Sequence, residues 1–218
     1  MTLQLHVHGG YPSYANSGAS WRGVDHDAHM LVQTLKGNAI NGYVTMKGSD
    51  GNWHKFTTEK PEAAFHIFGS WAASVIASLG VPRSRLVAVP SSSCVELGGD
   101  PKGRKLIDTI ARYAQGHAAL DALHWNEVMK KAHAGGERDP DTLYGHLYVL
   151  DPFAPSTIIL VDDVVTTGGH LLACARALRA FGHTVEHAIA AAQTVWEHPP
   201  NGMFSIPSRD LEADTKAF

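Results

Sequence analysis

The chain has 218 residues, 44% hydrophobic and 18% charged, long enough for one α/β domain with insertions around a sizeable core. A net charge of −3 excludes a whole-surface electrostatic footprint for nucleic acid and leaves room only for a local basic patch. Cys94 and Cys174 have no metal-ligand spacing and cannot make a disulfide scaffold, and no apolar run approaches the ~20 residues of a bilayer span, so a soluble chain with reduced thiols is expected.

Met1–His6 has neither a basic n-region nor an apolar h-region, so a cytoplasmic setting with no membrane partner is expected. Leu3–His8 reads as a strand, followed by a loop rich in glycine, serine and asparagine. Residues 42–47 and Trp53–Phe56, separated by Gly48-Ser49-Asp50-Gly51-Asn52, read as a β-hairpin. The expected division is a β-rich N-terminal hood over 1–60 and a core over 61–218. His6 and His8 would share one face of a strand, and Asp25-His26-Asp27-Ala28-His29 adds further potential metal ligands, but no zinc signature accompanies them.

After Pro61, residues 62–79 have helical length and apolar spacing, stopped by Gly80 and Pro82. Residues 85–90 read as a buried strand, followed by the serine-rich turn Ser91-Ser92-Ser93-Cys94. Helices are expected over 102–116 and roughly 139–149. Lys102, Arg104 and Lys105 stand at the start of the first, where cations oppose the helix dipole unless an anion lies close by. The polar segment Ala132–Asp141, with paired glycines and a proline, reads as a loop.

The richest stretch is 157–170. Thr157–Val161 is a continuous apolar run, as in strands of parallel sheets buried on both faces. Asp162 and Asp163 follow; ionised carboxylates are pure acceptors and suit a vicinal diol with two O–H donors. Thr166-Thr167-Gly168-Gly169 supplies hydroxyls and closely approachable main-chain N–H groups, and opens a helix over 170–181 whose N-terminus favours an anion; Gly182 ends that helix, and Thr184–Ala192 follows as another strand. An acidic strand end also occurs in P-loop nucleotidases. Those require G-x-x-x-x-G-K-[ST] upstream, and the nearest segment, Gly98–Lys105, has Arg104 at the lysine position.

This stretch resembles the signature of the type I phosphoribosyltransferases, which bind 5-phosphoribosyl-1-pyrophosphate (PRPP). The resemblance implies an α/β fold with a central, mainly parallel sheet flanked by helices and a small N-terminal hood. It implies that Asp162 and Asp163 hold the ribose hydroxyls, touching Mg2+ only through PRPP or water, and that Thr166, Thr167, Gly168, Gly169 and His170 cradle the 5′-phosphate. His170 departs from the family pattern, which has a small hydroxyl residue or Arg there; an imidazole can donate one hydrogen bond or carry charge. By the same resemblance Ser91, Ser92 and Ser93 face the pyrophosphate, Lys102 and Arg104 lie near it, and Arg138 rides on a loop that closes over the reaction.

The implied activity is transfer of the phosphoribosyl group to an unidentified base or amine, with Mg2+ as cofactor and pyrophosphate released. Trp21, Tyr43 and Trp53 of the hood can stack on a planar acceptor or simply form its core. The arrangement looks closest to the orphan ComF-like group, without the cysteine-rich N-terminal segment common there. A PRPP-binding regulator remains an alternative. So does a defence-type effector on the same fold, for example retron-associated and partner-inhibited, that hydrolyses PRPP or modifies nucleotide or RNA. A homo-oligomer or a protein partner is expected, and involvement of nucleic acid stays open.

Overall fold

The computed structural model describes residues 2–14, 17–130, 135–150 and 154–213. A six-stranded sheet has the order β10-β1-β9-β8-β4-β5, built from β1 (Gln4–Pro12), β4 (Ser84–Ala88), β5 (His117–Ala119), β8 (Thr157–Val165), β9 (Thr184–Val195) and β10 (Arg209–Asp210). All neighbouring pairs are parallel except β1 with β10. The apolar run of β8 takes a central position, and Ile158, Ile159 and Leu160 are fully buried. Burial of each such side chain contributes roughly 1.5–3 kcal/mol.

Alternation along the strands sends side chains to two separate cores. Ile158, Leu160, Leu5 and Val7 meet Leu171, Leu172, Cys174 and Leu178 of α5 (Gly169–Ala180). Ile159, Val161 and Ile189 meet α2 (Glu62–Ser78), α3 (Pro101–Tyr113) and the end of α1 (Gly23–Leu35) through Phe65, Phe68, Ile107, Ile110 and Leu31. The result is a helix–sheet–helix sandwich. Gly182, with φ +87°, donates to the Arg179 carbonyl at 2.9 Å and closes α5 as expected.

Three expectations change. The strand expected inside the hood, β1, lies in the main sheet between β9 and β10, because Leu5 and Val7 bury against the α5 core. The hairpin β2 (Val44–Lys47) and β3 (Trp53–Phe56) does form a separate antiparallel pair, turning at Gly51 with φ +80°. The loop expected between β1 and the hairpin contains α1 (Gly23–Leu35). There the Asp25 carboxylate accepts from the Arg22 N–H at 2.7 Å and pairs with its guanidinium, and Ala28, Leu31, Val32 and Leu35 form the buried stripe.

The helix expected over 139–149 is only α4 (Pro140–Tyr144), capped by Asp139, whose carboxylate accepts from the Thr142 N–H at 3.0 Å. Gly145 ends it, and Leu147–Val149 extends instead as β7 against β6 (Leu123–Trp125). In the expected loop, Ala132, His133 and Ala134 lie outside the described residues.

Candidate active-site crevice

The crevice arises where β4 and β8 part. Their register ends at Ala88 opposite Val161, with one more bond from the Val89 N–H to the Val161 carbonyl at 2.8 Å, while β8 continues beside β9 to Val165 opposite Gln193. From Asp162 onward β8 therefore has an open edge, at the carboxyl end of its parallel neighbours, where ligands of open α/β sheets bind.

Adjacent residues on a strand face opposite ways, and the two carboxylates are divided accordingly. Asp162 lines a small cavity of about 50 Å³ together with Arg138, Thr166, Thr167, Gly168 and His170. Burial and the neighbouring Asp163 charge push its carboxyl well above the usual carboxylate range, while the Asp163 N–H donates to it at 2.8 Å. Asp163 instead meets the Lys36 ammonium at 3.5 Å, beyond the end of α1.

Gly168 is the N-cap of α5 and has φ +100°. A Cβ there would sit 2.8 Å from a Leu211 methyl, so both the backbone conformation and the lack of space call for glycine. This turn aims the first N–H groups of α5, unpaired by the helix's own geometry, at the cavity. The Thr167 hydroxyl accepts from the Gly169 N–H at 3.4 Å, and the Thr166 hydroxyl lies 2.9 Å from that of Thr194. Burial and the Arg138 charge lower the His170 pKa, which favours a neutral ring that offers one donor.

The serine turn sits on the other side, but its groups are partly committed. The Ser91 N–H donates to Asp100 at 2.9 Å, and the Met129 N–H donates to the Ser92 carbonyl at 2.7 Å. Among the described residues no protein acceptor takes the N–H of Ser92 or Ser93. Lys102 is exposed. Arg104 is bound by Asp108 and Asp121, each at 2.9 Å, and the anion at the start of α3 is the Asp100 cap, which accepts from the Gly103 N–H at 3.0 Å. Arg104 is thus answered by the chain's own carboxylates, while the Lys105 ammonium lies 3.9 Å over the Phe65 ring.

Three contributors had no separate sequence signal. Lys36 caps the C-terminus of α1, a helix in a segment read as loop. Arg209, on the edge strand, donates to the Thr167 carbonyl at 3.4 Å and to Gln193 at 3.0 Å. Trp125, fully buried, donates its indole N–H to the carbonyls of Pro90 and Ser91 at 3.1 and 3.0 Å. Its ring also meets His170 edge-on at 5.6 Å, linking the serine turn to the start of α5. By contrast Tyr43 and Trp53 are largely exposed, and Lys55 lies 3.8 Å over the Tyr43 ring.

No helix among the described residues is long and apolar enough to cross a membrane. No family model matches the chain, and no curated protein sequence does. Among solved structures it is similar to adenine phosphoribosyltransferase from Trypanosoma brucei, in complex with AMP, pyrophosphate and ribose-5-phosphate, at 14% identity over 80% of this chain and 82% of that one, with TM-score 0.44. It is similar to the Leishmania donovani adenine enzyme at 15% identity over 77% and 81%, TM-score 0.40, and to orotate phosphoribosyltransferase from Aeropyrum pernix at 19% over 77% and 83%, TM-score 0.34. The mainly parallel sheet with helices on both faces stands on its own strand order and pairings.

Proposed function

We propose that the chain is a phosphoribosyltransferase that binds PRPP at the open edge of β8. The observation that carries this reading is the left-handed Gly168 turn, which points the start of α5 at the same cavity that Asp162 lines. Two hydroxyl residues, a helix N-terminus and a neutral imidazole offer donors for a 5′-phosphate, while Asp162 offers oxygens to the ribose hydroxyls and Asp163, on the other face of β8 and held by Lys36, reaches the ribose only from the open edge of the strand. The N–H groups of Ser92 and Ser93, held near by Trp125, are the main-chain donors for the pyrophosphate.

The chemistry then requires little beyond placement. Departure of pyrophosphate gives C1′ oxocarbenium character, so this chain's task is to fix the ribose, anchor both phosphate ends and keep water from C1′ while a base nitrogen or amine attacks. Mg2+ arriving with PRPP would supply charge neutralisation at the leaving pyrophosphate and would meet the acidic residues only through PRPP or water. No residue here is required as a covalent nucleophile.

One observation favours a second reading, a PRPP-binding regulator without turnover. On the pyrophosphate side, Arg104 and the Ser91 N–H are already satisfied by Asp108, Asp121 and Asp100. Incubation with labelled PRPP, Mg2+ and a panel of bases and amines separates the two. Pyrophosphate release that depends on an acceptor supports transfer; saturable binding with no release across the panel supports the regulator.

A further inference from the structure

A second cluster lies outside this crevice, where the β2–β3 hairpin packs on α2. Asp50 in the hairpin turn, His54 on β3 and His66 on α2 bring their ligand atoms together from two elements. The His54 Nε2 is 3.0 Å from both Asp50 carboxylate oxygens, and the His66 Nε2 is 3.3 Å from Asp50 Oδ2. All three ligand atoms fall within 4.8 Å of one another.

We propose that Asp50, His54 and His66 form a binding site for a divalent transition metal, with zinc as the best match. Bonds of about 2.0–2.1 Å to zinc in tetrahedral geometry place neighbouring donor atoms roughly 3.3 Å apart, close to the 3.0 and 3.3 Å that separate Asp50 from the two imidazoles. Two imidazoles with one carboxylate suit borderline metals rather than Mg2+ or Ca2+, which take oxygen ligands. The side chains are 21%, 28% and 33% exposed for His54, His66 and Asp50, so a fourth position opens to solvent and water can fill it.

The surroundings are arranged as metal-binding histidines require. The other nitrogen of His66, Nδ1, lies 3.0 Å from the Tyr113 hydroxyl at the end of α3. A hydroxyl both donates and accepts, so it can hold the tautomer that leaves Nε2 free for a metal. Asp50 is oriented by the Asn52 N–H at 3.0 Å and the Asn52 side-chain amide at 3.2 Å. At Gly48 a Cβ would stand 2.7 Å from Asp50 Oδ1 and 2.9 Å from the His54 ring, so the glycine leaves the site open. A bound ion would staple the hairpin to α2 and, through Tyr113, to α3.

The test is calorimetry with zinc chloride on protein stripped by a chelator and dialysed. One saturable equivalent is expected in the wild type, with a raised melting temperature. His54→Ala and His66→Ala, checked for folding by circular dichroism, should each lose it, and Tyr113→Phe should weaken it by about 10–100-fold. Asp50→Asn, which keeps one acceptor oxygen for the Asn52 N–H and removes the charged ligand, gives the same readout should a histidine variant fail to fold. Absence of saturable binding in the wild type overturns the proposal, as does binding that persists unchanged in both histidine variants.

Discussion

Asp162 is the residue at which stability and the proposed function are opposed. Its folded-state pKa is raised, so the folded protein holds a proton that the unfolded chain releases, and the ionised carboxylate destabilises the unliganded fold increasingly as pH rises through that window. Asp162→Asn keeps an oxygen for the Asp163 N–H and removes the buried charge. It is expected to raise the melting temperature at pH 7, by roughly 2–4 °C per kcal/mol relieved, while weakening PRPP binding. Differential scanning calorimetry with and without Mg–PRPP reads both effects. Gly168→Ala is expected to do the reverse, losing about 1–3 kcal/mol because its φ of +100° and the Leu211 side chain oppose a Cβ, and losing affinity with it. Urea unfolding beside ligand titration checks that pairing.

At the level of elements, β1 carries a pH dependence unrelated to the crevice. His6 and His8 project from the face opposite Leu5 and Val7; His8 packs edge-on against Trp71 and Phe204 at 5.1 and 5.4 Å, and His6 lies 5.6 Å from His187 of β9. Among the described residues, His6 Nε2, His8 Nδ1 and His187 Nδ1 are buried without hydrogen-bond partners. Burial lowers the pKa of all three, that of His8 to about 4. The unfolded chain therefore binds protons that the fold refuses. Stability is full above about pH 6.5 and falls as pH drops toward 4, with His8 alone accounting for about 2 kcal/mol by pH 5. Urea unfolding at pH 7 and pH 5 should show this loss, and His8→Leu should flatten it. His6 and His8 are the pair whose shared face suggested metal ligands; among the described residues the structure instead gathers Asp50, His54 and His66 on another surface, and the strand spacing alone had no means of showing that.

Across the whole molecule, what could be read from sequence was local and strongly patterned. The apolar run of β8, the acidic pair and the glycine turn into α5 stand where periodicity and chain order place them, because each is fixed by its own neighbours. α1 was hidden because its N-cap is an arginine in place of Ser, Thr, Asp or Asn and polar residues crowd its first turns, although Ala28, Leu31, Val32 and Leu35 recur at helical spacing. The partners of the crevice were hidden for a different reason. Lys36, Trp125 and Arg209 reach it only through tertiary packing across the sheet, and Arg104 could be seen as engaged only once Asp121 lay beside it. The division of Asp162 and Asp163 between two faces of β8 likewise follows from the strand's continuation to Val165. The central claim is that this strand end binds PRPP. Isothermal titration of PRPP with Mg2+ into the wild type and into Asp162→Asn/Asp163→Asn tests it most directly: saturable wild-type binding weakened at least about tenfold in the double variant, a loss of ~1.4 kcal/mol, is predicted, and undiminished affinity in that variant would contradict it.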